Sequence, residues 1–209
     1  MIIFDTTRAV LLLNPKTGTR STVEYFKQPQ FSGHVRVVFG GHYPHRVVVP
    51  ALEEAAREYE FLSFYRCPVE RFVSACNFIA SEWHYIWGNY PINPETMAKA
   101  QAEIQELTLE DLLEVLIRVQ RGPVLALARP QTKWFAPEVQ LLDFRDFDAE
   151  LVRLATSWGF EAPAEVPHLN ESPSKFDVND LSPEFIERIK QYYAADYEFF
   201  ASRGITFNR

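Results

Sequence analysis

Two short stretches hold the residues best suited to chemistry. The first, Asn14-Pro15-Lys16-Thr17-Gly18-Thr19-Arg20-Ser21, follows an aliphatic run and precedes a segment with helical character. Small residues and a glycine let consecutive backbone N–H groups turn toward an anion, and the positive end of a helix dipole adds to the attraction. The stretch reads as a phosphate cradle. It lacks the G-x-x-x-x-G-K-[ST] spacing of nucleotide triphosphatases, because Lys16 comes before the turn instead of after it. An ordinary strand-to-helix connection with an exposed lysine would show the same residue types. The second stretch runs Phe61-Leu62-Ser63-Phe64-Tyr65-Arg66-Cys67-Pro68-Val69-Glu70-Arg71-Phe72-Val73-Ser74, again strand, basic residue, helix. Arg66 at the strand's end can offer a planar fork to a second phosphate, and Ser74, two turns into the helix, can donate its hydroxyl. Taken singly, Arg66 is a surface cation and Ser74 a solvated helix residue; the pair of loops gives both more weight.

The elements that must position these loops follow from pattern. Residues 9–13 form a continuous apolar run ending in Asn14-Pro15, which suits a strand buried on both faces, and residues 35–39 and 61–65 repeat it. Helical segments lie between them at 21–26, at 49–58 and from Pro68 onward. Strands alternating with helices imply an α/β fold with a central parallel sheet, right-handed crossovers and a ligand crevice beyond the carboxyl ends of the strands. In the helix from Pro68, Phe72, Cys76, Ile79 and Trp83 fall on one apolar stripe, with Arg71, Ser74 and Phe78 expected on the other side. Thr108 with Asp111 resembles a capping box, and Ser182-Pro183 starts a C-terminal helix carrying Phe185, Ile189, Tyr193 and Phe199 or Phe200.

Composition narrows the field. The 209 residues are 47% hydrophobic and 23% charged, enough to bury a full core, and no repeat or long linker divides them, so a single domain over 1–209 is expected, with an aromatic-rich helical excursion around 83–120. The longest aliphatic run is far short of a bilayer span, and no basic start leads into an apolar signal segment. If the segment holding Cys67 and Cys76 is helical, they lie about two turns apart, too far for a disulfide. A soluble cytoplasmic protein of bacterial or viral type is the expectation. The net charge of −7 disfavours a long polyanion, nucleic acid included, as main partner.

The two loops carry a resemblance. LLLNPKTGTRSTVEYF is similar to the 5′-phosphosulfate loop of sulfotransferases, and FLSFYRCPVERFVSACNF resembles their 3′-phosphate-binding strand and helix, where the usual form is R-x-P-x-x-R-x-x-S-A. The order of the blocks and the later RPQTKWF and HLNESPSKF segments resemble the carbohydrate sulfotransferase branch. The resemblance implies a P-loop-like fold and 3′-phosphoadenosine 5′-phosphosulfate (PAPS) as donor, with 3′-phosphoadenosine 5′-phosphate (PAP) as product and no metal. It implies that Lys16 contacts the bridging oxygen of the phosphosulfate, that Thr17, Gly18, Thr19, Arg20 and Ser21 wrap the 5′-phosphate, and that Arg66 with Ser74 holds the 3′-phosphate. Ser172 and Lys175 match a loop that closes over the nucleotide, with His168 and Asn170 ordering it; a polar surface turn is the alternative. Gln131 and Trp134 resemble a recurring Gln-x-x-Trp element, although Trp134 fits a core equally well.

Sulfuryl transfer to a hydroxyl also needs a proton acceptor, a role suited to a histidine. His42 is the first choice, because GGHYPH follows the strand at 35–39 on the ligand-binding edge and relatives carry a histidine in a similar stretch; His45 is close behind. His34 precedes that strand and belongs at the opposite edge. Trp83, Tyr85, Trp87 and Tyr90 could form an acceptor platform for a sugar or phenol, or pack against the next helix. The acidic charge moves the expected acceptor away from sulfated polymers toward a neutral sugar, a glycolipid or a small alcohol. A small-molecule kinase on the same architecture and a non-catalytic nucleotide-binding module are the other readings.

Overall fold

Short aliphatic runs bounded by turn residues build the sheet, and Pro, Gly, Ser and Thr at helix starts divide the rest. A computed structural model describes residues 1–37, 42–87, 93–118, 127–169 and 174–209, without the side chains of 53–55, 82–87 and 97. Along the chain the elements are β1 (Ile2–Phe4), β2 (Ala9–Leu12), α1 (Thr19–Phe26), β3 (Val35–Val37), α2 (His45–Leu52), β4 (Glu60–Tyr65), α3 (Pro68–Trp87), α4 (Pro94–Glu106), α5 (Leu109–Arg118), β5 (Gln140–Asp143), α6 (Phe147–Ser157), α7 (Pro183–Tyr192) and α8 (Ala194–Ala201). None of the described helices is long and apolar enough to cross a membrane.

The chain forms two compact units, one of Met1–Arg66 with Gln131–Asn170 and one of Cys67–Pro130 with Glu171–Arg209. The first contains the sheet, in the order β3-β1-β2-β4-β5. Strands β2, β4 and β5 are parallel, as the β–α alternation implies, with Leu11 opposite Leu62 and Phe64 opposite Leu142. Strand β1 is antiparallel to both of its neighbours, so the sheet is mixed where a parallel one was expected. Residues 5–8 close a β1–β2 hairpin, with Arg8 in the left-handed region at φ 52°. The strand expected at 35–39 is β3, a partly exposed edge strand paired with β1. Its last two expected residues fall outside the described segments.

Strand periodicity puts Ile2, Phe4, Ala9, Leu11, Leu62, Phe64 and Leu142 on one face, where α1 and α6 cover them with Val23, Tyr25, Phe26, Phe147, Leu151 and Leu154. Phe4 meets Phe26 edge-on at 4.8 Å, and Phe26 meets Phe31 at 5.0 Å. Each such buried side chain stabilises the unit by about 1.5–3 kcal/mol before entropy is counted. On the other face α2 sets the His45 ring edge-on to Phe61 at 4.6 Å.

The second unit is helical. Its core joins Phe72, Cys76 and Ile79 of α3 to Leu112, Leu113 and Leu116 of α5 and Phe185 and Ile189 of α7. Thr108 and Asp111 form the expected reciprocal cap: Asp111 N–H donates to Thr108 Oγ1 at 3.1 Å and Thr108 N–H to Asp111 Oδ2 at 2.9 Å. Ser182 caps α7 through Phe185 N–H. The C-terminal helix is two helices, because Tyr193 leaves helical geometry between α7 and α8. Arg71 departs from its expected solvent face. It is fully buried, because α3 packs on more than one side: Val69, Val73 and Ala75 are buried as well as the Phe72 stripe.

Candidate active site

The site residues of the first unit gather at the carboxyl ends of β2 and β4, which are neighbours in the sheet. Strand β2 ends at Leu12, and residues 14–18 turn into α1. Two residues of that turn have positive φ, Lys16 at 64° and Gly18 at 72°. A side chain costs roughly 1–2 kcal/mol in this conformation, so Lys16 is held there against a local penalty. Gly18 has no alternative. A Cβ there would lie 2.7 Å from Phe147 Cε2 and 3.0 Å from Phe144 Cε2, so the loop is pressed against two rings.

The hydroxyls of Thr17 and Thr19 both donate to the carbonyl of Asn14, at 2.8 and 3.0 Å. Their protons shape the loop, and a fully ionised phosphate is an acceptor only. What Thr17 and Thr19 can give an anion is therefore their backbone N–H groups at the start of α1. The N-cap residue, Gly18, has no side chain to cap that start, and no acidic residue occupies its first turn. A helix start of this kind attracts an anion through its dipole. Arg20 is exposed. Ser21 is buried; its Oγ accepts from Leu169 N–H at 2.9 Å and reaches Leu169 O at 3.4 Å. It ties residue 169 to α1, which leaves its hydroxyl less able to serve a 5′-phosphate as the resemblance implies.

Arg66 follows β4 directly. Its guanidinium carbon lies 4.9 Å from the centre of the Phe144 ring, the same ring that abuts Gly18. Phe144 follows β5 in a short 3-10 turn capped by Asp143, whose Oδ1 accepts Arg145 N–H. The Asp143 carboxylate also accepts the Tyr65 hydroxyl at 2.8 Å. Burial pushes the Asp143 carboxyl up, and the Arg145 guanidinium and N–H together with the Tyr65 hydroxyl more than offset this, holding it below the ordinary range. Burial, then the bond to Asp143, pushes Tyr65 up to about 12.

A buried glutamine joins the two strand ends. Gln131 Nε2 donates to Arg66 O at 2.7 Å, while its Oε1 accepts Arg66 N–H and Asn14 Nδ2, each at 3.0 Å. Asn14 Nδ2 also reaches Phe64 O at 3.4 Å, and its Oδ1 is buried with no hydrogen-bond partner among the described residues. Asn14, Gln131 and Phe144 had no role assigned from sequence. The only signal was a polar residue in each of two flagged segments, and nothing in spacing tells a buried glutamine from an exposed one.

His42 Nδ1 lies 2.7 Å from Leu13 O, just before the loop. A carbonyl only accepts, so Nδ1 carries the proton and the neutral ring keeps its basic lone pair on Nε2. His45 has a different setting. It is buried against Phe61, near the amino end of β4, and its Nε2 stands 3.4 Å from Glu138 Oε1. That distance is an ion pair only with a protonated ring and is long for a hydrogen bond. His34 bonds Thr6 in the β1–β2 turn, at the opposite edge as expected. Trp134 is buried and its carbonyl accepts His45 N–H, which makes it a core residue.

His168, in the first unit, sets its Nε2 3.0 Å from Asp148 Oδ2; the other expected residues belong to the second unit or lie outside the described residues. Ser74 is half-buried on α3. Lys175 donates through Nζ to the carbonyls of Gln105 and Leu107, closing the end of α4, and lies over the Phe176 ring at 4.9 Å. Trp83, Tyr85 and Trp87 belong to the last turns of α3, which reaches only the start of the expected excursion, and their side chains lie outside the described residues, as do Tyr90, Asn170 and Ser172 altogether.

The architecture is similar to that of a solved protein, a sulfotransferase from Alicyclobacillus acidocaldarius, with a TM-score of 0.50 and 14% identity over 96% of each chain. At that identity the likeness shows the fold: mixed α/β, with a central five-stranded sheet flanked by helices. No family model matches the chain, and no curated protein matches it.

Proposed function

We propose that this protein is a sulfotransferase that moves the sulfuryl group of PAPS to a hydroxyl, with a carbohydrate, a glycolipid or a small alcohol as acceptor. The observation that carries the reading is the joining of the Lys16 loop to Arg66 by Gln131 at the carboxyl ends of adjacent parallel strands. Two anion-binding groups there suit a nucleotide with phosphates at both ends of its ribose. The N–H groups opening α1 would hold the 5′-phosphate, and Arg66 the 3′-phosphate. ATP has no 3′-phosphate and would leave that fork unpaired, a loss worth large discrimination in a site built for it.

In the transfer, the bond between sulfur and the bridging oxygen breaks as a bond from sulfur to the acceptor oxygen forms. Negative charge grows on the leaving phosphate oxygen, and the Lys16 ammonium is assigned to balance it. The acceptor's proton passes to Nε2 of His42, whose tautomer the Leu13 carbonyl sets. His45, packed on Phe61, is the weaker choice for this step. The net charge of −7 supports an acceptor poor in sulfates, and Trp83, Tyr85, Trp87 and Tyr90 are offered as its aromatic platform.

Incubation of purified protein with PAPS and a panel of neutral glycans, glycolipids and alcohols, followed by mass spectrometry, tests the reading. Expected is one sulfated product class with stoichiometric PAP. Phosphorylated product from ATP and Mg²⁺, with none from PAPS, would establish the kinase reading instead.

A further inference from the structure

We infer that Gln131 is a positioning residue that couples the two anion-binding loops, so that donor affinity depends on a side chain set behind the site. The inference rests on the PAPS reading. The β2–β4 ladder ends with Leu12 opposite Ser63; beyond it β2 gives way to the Asn14 loop, while β4 runs on to Tyr65 paired only with β5. The side-chain amide of Gln131 continues the pairing where the backbones no longer can. Its donor and acceptor engage the C=O and N–H of Arg66 in one closed ring, and its oxygen takes the Asn14 amide as well.

Each bond has a separate consequence. Asn14 is the residue whose carbonyl collects the Thr17 and Thr19 hydroxyls, so holding Asn14 holds the loop that presents the α1 N–H groups. Fixing both backbone groups of Arg66 fixes the direction in which its side chain leaves the chain, and Phe144 supports the guanidinium from there. Gln131 is wholly buried, so it acts through these two residues. An amide engaged by both loops makes their separation a property of one side chain.

The test compares Gln131→Met, which keeps the size and loses all three bonds, with Gln131→Glu, which keeps an acceptor and loses the donor. Leu154→Ala, in the core of the same unit and outside the loops, serves as a control for lost stability. PAP affinity by titration, thermal stability, and KM for donor and acceptor are measured on each. Gln131→Met is expected to weaken PAP binding and raise the donor KM by roughly tenfold to a hundredfold, the range that misplacement of a binding group by about 1 Å produces. Gln131→Glu should fall in between, with the acceptor KM unchanged in both. Leu154→Ala should lose stability and keep PAP affinity. Wild-type protein that fails to bind PAP overturns the proposed function and this inference with it. Wild type that binds PAP no more tightly than Gln131→Met, or a donor KM that follows thermal stability equally in the Leu154 and Gln131 variants, overturns the inference alone.

Discussion

Arg66 and Arg71 stand five residues apart in one motif, yet the first unit and the second use them differently. At the strand ends of the first unit, Arg66 has its backbone held by Gln131 and its guanidinium supported on Phe144, half-buried near a helix start without acids. In the second unit the Arg71 guanidinium is wholly buried and donates to the carbonyls of Leu127 and Arg129, beside Tyr193, whose hydroxyl donates to Ala128 O. Lys175 repeats that use with the carbonyls at the end of α4. A cation that donates to main-chain carbonyls deep in a helical core shapes the chain, whereas one carried by a strand end and stacked on a ring close to a helix start is placed where a ligand could reach it. The residue type is the same, and the acceptors around it decide its work.

That contrast can be broken most sharply in the first unit. Lys16→Ala should lower kcat about a thousandfold, in the range seen when a group facing developing negative charge is removed. PAP affinity should change much less, which single-turnover rates and titration separate. His42→Asn should cost about a hundredfold in kcat, in keeping with loss of a general base. It should leave PAP binding intact.

Substitutions in the second unit should act on stability. Arg71→Leu leaves buried carbonyls without their donor and should lower unfolding free energy by about 2–3 kcal/mol in chemical denaturation. PAP affinity of the folded protein should be unchanged, against what a shared motif suggests. Lys175→Met should cost about 1 kcal/mol, the scale of a cation at a helix C-terminus, again without effect on PAP. A large loss of PAP affinity in the Lys175 variant would restore the phosphate contact that the resemblance implies.

Much of this framework is legible in the residues themselves. Strand β2 is an uninterrupted apolar run and β4 a mostly apolar one broken by Ser63, Pro68 and Pro183 open their helices, and Thr108 with Asp111 marks a start that local chemistry dictates. Strands β1 and β5 escaped because three or four residues carry too little pattern, and with β1 went the mixed character of the sheet. Arg71 was misplaced because a helical wheel with one apolar stripe cannot show that a second side is also covered. The Gln131 clamp depends on partners 65 and 117 residues away, a distance at which no local pattern speaks.

One titration bears on the central claim most directly: PAP against adenosine 5′-phosphate, which differs only in lacking the 3′-phosphate, on wild type and on Arg66→Ala. The account predicts that wild type prefers PAP by about a hundredfold, the scale of a charge-assisted bidentate contact, and that the variant loses most of that preference. Equal affinity for the two nucleotides in wild type, or a preference undiminished in the variant, would contradict it.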